Sequence, residues 1–435
     1  MSWLSCGFDR LATSVGLARR ARQPRAWPLV AAALTAAMVA PTLARAAPAA
    51  ADTLWVATWE ASPEPQRAPL IALTGQTVRQ VARVSLGGRY LRVRLSNEFG
   101  DRPLTIGAAH MALAAGAGSA TQPGTDRALT FGGSAGITIP TGARVLSDPV
   151  LINAPPLSNV SVSVYFPAAV GAVTEDYFAL ATGYMAPGDA TAAPELPGAA
   201  TIAKRVVLTG IDVSAPAKTQ VVVALGDQLT GGYGSTVDAN HRWTDRLAER
   251  LAARKGAPSP LGVVNAGIGG NRLLHDFFGP NALSRFDRDV LSQPNVGYLI
   301  VLLGINDFGF PGGRDLAAED VSADDVIAGY RQIIQRAHSY GIKVFMATLP
   351  PFGPIPERPG YYSDASEAKR QAVNQWIRAN VHKEFEDVID FEAAVRDPRT
   401  GIRLRAAYDS GDHLDPNDAG YQAMANAVEF RLFEK

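Results

Sequence analysis

Two hydrophobic periodicities divide the chain. Across residues 54–213 apolar and polar positions alternate in short runs, the two-residue period of strands with one buried face. Val78-Arg79-Gln80-Val81-Ala82-Arg83-Val84 and Tyr90-Leu91-Arg92-Val93-Arg94-Leu95 flank Gly87-Gly88, which predicts a hairpin. Val160-Ser161-Val162-Ser163-Val164-Tyr165-Phe166 repeats the alternation, and Val206-Val207-Leu208 reads as a last strand after a Pro-, Gly- and Ala-rich stretch at 187–200. Turn residues separate the runs and helical periodicity is nearly absent, so an all-β sandwich or jelly roll is expected over 54–215. Trp55, Trp59, Tyr177 and Phe178 fit either its core or a sugar-stacking surface.

From Gln220 the pattern changes. Near-continuous apolar runs at 221–225, 262–265, 298–303, 343–347 and 388–391 alternate with amphipathic segments. Trp243, Leu247, Ala248 and Leu251 share one helical face, as do Val326, Ile327, Tyr330, Ile333, Ile334 and Ala337. Ser322 with Asp325 has the spacing of a capping box, and Gly341 is placed to end that helix. Apolar strands alternating with helices predict a three-layer α/β domain over 219–435, its parallel sheet covered on both faces. Ligands of such sheets bind at the carboxyl ends of the strands, so the loops starting at Gly226, Asn265, Gly304 and Thr348 should share one rim.

Length and composition sharpen this picture at three points. A chain of 435 residues exceeds the usual single domain. Its 41 basic and 41 acidic residues balance, which argues against a nucleic-acid partner. Arg10, Arg19, Arg20, Arg22 and Arg25 precede an apolar run at 29–38, and Ala44-Arg45-Ala46 offers a cleavage site. Residues 1–46 therefore read as a secretory signal peptide, too short in its apolar part to span a membrane, and the protein as secreted or periplasmic. The single cysteine, Cys6, lies in that segment, so the mature protein is expected to lack disulfides, a thiol nucleophile and cysteine metal sites.

The candidate chemistry falls on the predicted rim. Gly226-Asp227-Gln228-Leu229 ends the first apolar strand, and Asn265-Ala266-Gly267-Ile268-Gly269-Gly270-Asn271-Arg272 follows the second. Gly304-Ile305-Asn306-Asp307 follows the third, and Asp412-His413-Leu414-Asp415-Pro416-Asn417 stands near the C-terminus. Taken singly, the glycine and Asn-Asp segments also fit plain turns. In this order, the four blocks resemble the signature of the SGNH/GDSL hydrolases across about 219–435, and the β region resembles the accessory domain of some secreted bacterial members. The resemblance implies a flavodoxin-like three-layer domain that cleaves carboxylic esters without a cofactor or metal. It places Gly270 and Asn306 in the oxyanion hole and Asp412 as the acid that orients the base. It also places Gln228 where the nucleophilic serine belongs and Asp415 where the histidine base belongs.

An amide is not a nucleophile, and a carboxylate does not reproduce the acid–base cycle of an imidazole. Loss of either the nucleophile or the base of such a triad costs about 10⁶ in turnover. The leading expectation is therefore a catalytically impaired or inactive relative that binds a small-molecule ester or acylated carbohydrate. The alternative is an active ester hydrolase using rearranged residues, with His413 as base and Thr230 or Ser235 as nucleophile. A third reading makes the β region the working module of a structural or adhesive wall protein. His241 and His275 fall on the same rim, but no ligand spacing makes them a metal site.

Overall fold

Val221 to Leu225 are wholly buried, and in the computed structural model they lie in an inner strand of a five-stranded parallel sheet. The structure describes residues 53–434 except 257–258. The expected signal peptide and Cys6 lie outside the described residues. The sheet order is Leu261–Gly267, Gln220–Gly226, Val296–Leu302, Lys343–Ala347, Asp387–Ile389. Each neighbouring pair is parallel, so each link is a crossover, and helices carry the chain back. The helix Trp243–Ala253 buries Trp243, Leu247 and Ala248. The helix Ala323–Ser339 buries the six apolar residues its periodicity marks. Its Ser322 and Asp325 make the reciprocal capping bonds, and Gly341 follows its last turn with φ +71°.

The region before Gln220 is antiparallel throughout. One sheet runs Thr53–Glu60, Leu208–Pro216, Gly88–Ser96, Val150–Ala154, with Arg144–Leu146 also on Gly88–Ser96. A second runs Ala200–Ile202, Gly183–Pro187, Gln76–Arg83, Asn159–Phe166, Ala108–Leu113, Arg127–Ala128. A small third sheet orders Arg205–Val206, Thr174–Asp176 and Glu64–Pro65.

The expected hairpin around Gly87-Gly88 does not form. Gln76–Arg83 pairs with Asn159–Phe166 and Gly183–Pro187, whereas Gly88–Ser96 belongs to the other sheet. A two-residue hairpin of the Gly-Gly type needs positive φ, and neither glycine has it. Gly87 instead lies under the backbone of residues 154–156, where a Cβ would sit 2.4 Å from the Ala154 carbonyl oxygen. The pair serves a close crossing between sheets. Alternation had located both strands, but it names neither their partners nor, in Gln76–Arg83, the buried face, since Arg79 and Gln80 are buried and Val81 only half-buried.

The described residues cluster as one compact unit, with buried side chains of the β region and of the α/β region in one continuous core. A polar seam runs beside it. Val263 N–H donates to Ser85 Oγ (3.0 Å) and Ala57 N–H to the Pro294 carbonyl (3.2 Å). Arg94 donates to Gln293 Oε1 (2.9 Å), and Gln293 donates to Glu60 (2.7 Å). Among the described residues no helix is long and apolar enough to cross a membrane.

Candidate active site

The strand Gln220–Gly226 ends at Asp227, which caps a single helical turn, Gln228–Gly231. The cap carboxyl accepts from Leu229 N–H at 2.9 Å. Gln228, the first residue of that turn, thus stands at the strand's carboxyl end with its side chain over the next loops. Two donors converge on its amide oxygen. Gly270 N–H reaches Oε1 at 3.1 Å and Asn306 Nδ2 at 2.9 Å.

Each donor is fixed by its surroundings. Gly270 has φ +76°, and a Cβ there would come within 2.4 Å of the Phe278 ring. Asn306 Nδ2 also donates to the Asn271 carbonyl (2.9 Å), while Tyr361 O–H donates to Asn306 Oδ1 (2.9 Å). The amide can therefore take only the orientation that aims its nitrogen at Gln228. Behind it, Asp307 accepts from Leu273 N–H (2.8 Å) and Leu274 N–H (3.0 Å), fixing the loop after Gly270. Arg285 ties the loops together, donating to the carbonyls of Gly226 and Ala266 and to Asn271 Oδ1 (2.8–3.0 Å), with Asp289 as its counter-charge at 2.8 Å.

The last block supplies a pair of carboxyls. Asp412 Oδ1 accepts from Ser410 Oγ (3.0 Å), Leu414 N–H (3.0 Å) and Asp415 N–H (2.8 Å). Those bonds outweigh burial and hold Asp412 below the usual carboxylate range. Asp415 is 1% exposed. Burial first, and then the Asp412 charge, raise its pKa well above the ordinary value. Burial and the neighbouring Asp412 charge therefore both favour the neutral form of Asp415, whose two carboxyl oxygens are buried without a protein hydrogen-bond partner. Two further buried acids line this rim: burial pushes Asp227 up to about 8 and Asp307 up to about 6, against the backbone hydrogen bonds each accepts.

Gln228, Gly270, Asn306 and Asp415 open onto one cleft of about 500 Å³, with Asp412 behind Asp415. The β region builds the opposite wall with Arg67, Ala68, Tyr177 and Phe178, so those two aromatic residues face the cleft; Phe278, Phe310, Arg314 and Arg358 complete it. Gln228 Nε2 is buried here without a hydrogen-bond partner. Thr230 is wholly buried and absent from the cleft lining. His413 pairs with Asp409 (2.7 Å) and also lies outside that lining. His241 is held by Asp418 (2.6 Å), and among the described residues no group of three or more His, Cys, Asp or Glu could hold a metal.

Sequence reasoning named the four blocks but not Tyr361, Arg285, Arg67, Arg314 or Arg358. Asp307 was signalled by its place next to Asn306. The others come from segments that carry no motif.

The arrangement holds donors aimed where negative charge develops during acyl transfer. The acceptor they meet is the protein's own amide oxygen. No serine, threonine, cysteine or histidine is among the residues that line the cleft.

Residues 224–423 match the model of the GDSL-like lipase/acylhydrolase family. None of the curated proteins matches the chain. Solved structures similar to it include an aryl esterase from M. smegmatis (17% identity, TM-score 0.40, covering 49% of this chain and 99% of that one). A GDSL-like lipase from Bacteroides thetaiotaomicron is 19% identical (TM-score 0.38, covering 49% of this chain and 88% of that one). A carbohydrate acetylesterase from Sinorhizobium meliloti is 15% identical (TM-score 0.38, covering 49% of this chain and 99% of that one). The stretch that carries Gln228, Gly270, Asn306 and Asp412 is thus a GDSL-like lipase/acylhydrolase domain.

Proposed function

We propose that this is an exported, catalytically silent member of the esterase fold that binds a small ester or acylated carbohydrate without cleaving it. The observation that carries the reading is the amide of Gln228, whose oxygen takes the Gly270 and Asn306 donors for itself. An ester carbonyl arriving in the cleft finds that position filled. The roles of the four blocks then change. Gly270 and Asn306 hold the Gln228 amide in place instead of a substrate oxygen. Asp415, protonated against Asp412, has no imidazole to replace as base and supplies a neutral polar floor. Tyr177 and Phe178, packed edge to face, give the ligand an aromatic wall.

The test is hydrolysis of a short-chain aryl ester by the mature protein beside the double variant Gln228→Ser/Asp415→His. The unaltered protein is expected to show no turnover above the uncatalysed rate beyond what binding alone gives. The double variant should exceed it by at least about 10³-fold, since the donors and the orienting acid remain in place. Turnover by the unaltered protein that Thr230→Ala and His413→Ala abolish would replace this reading with a rearranged hydrolase.

A further inference from the structure

Three guanidinium groups line the cleft, from three separate parts of the chain. Arg67 comes from the β region, Arg314 from the end of the helix Ile305–Gly313, and Arg358 from the loop after Lys343–Ala347. Their counter-charges are few. Arg67 pairs with Glu64 at 2.6 Å, and Arg358 stands 3.7 Å from Asp412. Arg314 has no ion-pair partner among the described residues. Its plane lies over Phe278 (4.8 Å) and Phe310 (5.0 Å), and Arg67 lies over Tyr177 (4.0 Å) and Phe278 (4.7 Å). Stacking occupies the faces of a guanidinium and leaves its edge N–H groups free to bind.

The Asp412 carboxylate faces Arg358 and leaves Arg314 without an ion-pair partner among the described residues. The only carboxyl among the lining residues is Asp415, whose pKa burial raises well above the ordinary value. Glu64 faces Arg67 alone at 2.6 Å, and burial raises its pKa to about 8 against the pull of that guanidinium. Partial burial, and next the charge of Arg358, draw the Arg314 pKa down, the mark of a crowded positive site. A partly enclosed cleft with excess positive charge and aromatic walls is matched by an anion on a flat body.

We propose that the ligand of this cleft carries a negative group, a carboxylate or a phosphate ester, which bridges the Arg314 and Arg358 edges while its aromatic or sugar body stacks among Phe278, Phe310 and Tyr177. This rests on the reading of the cleft as a ligand site and adds the charge of what it takes. It also gives the β region a part in selection, because Arg67 and Tyr177 come from there.

Calorimetric titration of the full mature chain with 4-nitrobenzoate, phenyl phosphate and the neutral 4-nitrobenzamide tests it. At least one anion should bind about tenfold or more tightly than the amide, and the difference should shrink as salt is raised. The two anions distinguish carboxylate from phosphate. Arg314→Gln, an exposed position that the fold does not need, should remove most of the preference, and Arg314→Lys should restore part of it. Equal binding of anion and amide would overturn the proposal and leave the silent-esterase reading standing. So would an anion preference unchanged in Arg314→Gln, which would place the anion elsewhere, or no binding by any of the three. Turnover by the Gln228→Ser/Asp415→His variant judges the underlying reading separately.

Discussion

At the scale of single residues, the proposed silence of the site rests on two side chains, Gln228 and Asp415. Gln228 is long enough to swing its amide oxygen onto Gly270 N–H and Asn306 Nδ2, which a serine hydroxyl at the same place would leave open to substrate. Asp415 is buried against a carboxyl that three hydrogen bonds keep ionised, so it holds its proton. That has a sign. A carboxyl whose pKa is higher in the folded than in the unfolded chain keeps, as pH rises, a proton that the unfolded chain has already lost. Its contribution to stability therefore falls from the unfolded pKa upward. Asp415→Asn keeps a donor for Asp412 and removes the titration. The melting temperature of the variant relative to the unaltered protein is expected to rise as pH increases above about 4. A difference that stays flat across that range would mean that Asp415 is ionised in the folded protein.

At the scale of elements, the strands and helices of the α/β domain hold the loops, and polar caps hold the elements. The helix Ala323–Ser339 is the clearest case: Ser322 Oγ accepts from Asp325 N–H (3.1 Å) while Asp325 accepts from Ser322 N–H (2.9 Å). Ser322→Ala removes one half of this exchange at an exposed helix start and should destabilise the protein by about 1 kcal/mol in urea unfolding, with ligand binding unchanged. The same logic explains the short turn Gln228–Gly231. Four residues cannot persist as a helix alone. Asp227 caps it, Gly232 ends it in the left-handed region, and its packing on Leu261–Gly267 completes its support.

For the whole molecule, the β region and the α/β region share a core and a buried polar seam, and this seam passes directly behind the site. Arg285 is fully buried and binds Ser62 of the β region (3.2 Å), Asp289, and the carbonyls of both catalytic-rim loops. Arg285→Met should lower stability by about 3–5 kcal/mol, because Asp289 and several carbonyls lose a buried partner. Circular dichroism and tryptophan fluorescence should report one coincident urea transition for the unaltered protein, since Trp55 and Trp59 sit in the β region and Trp243 in the α/β region. Two separated transitions would show that the shared core does not couple the regions.

What could be read from the sequence follows from how local each determinant is. Apolar periodicity located the parallel strands, the Ala323–Ser339 helix and its cap, because each depends on neighbours within about one turn or one strand. The four blocks placed Gln228, Gly270, Asn306, Asp412 and Asp415 near one another, because the carboxyl ends of parallel strands must share an edge. Other features depend on residues far apart in the chain. The crossing at Gly87-Gly88 was invisible because alternation does not say which strand pairs with which. Tyr361 orients Asn306 from 55 positions away, and Arg285 reaches Ser62 from 223 away. The cleft's aromatic and guanidinium wall joins Arg67, Tyr177, Phe310, Arg314 and Arg358, which only packing brings together. The sequence alone put a glutamine at 228 and an aspartate at 415, since which residue stands at a position is a matter of identity. Only the tertiary structure decided what the substitutes do, because the partner of an amide oxygen and the proton of a buried carboxyl depend on what surrounds them.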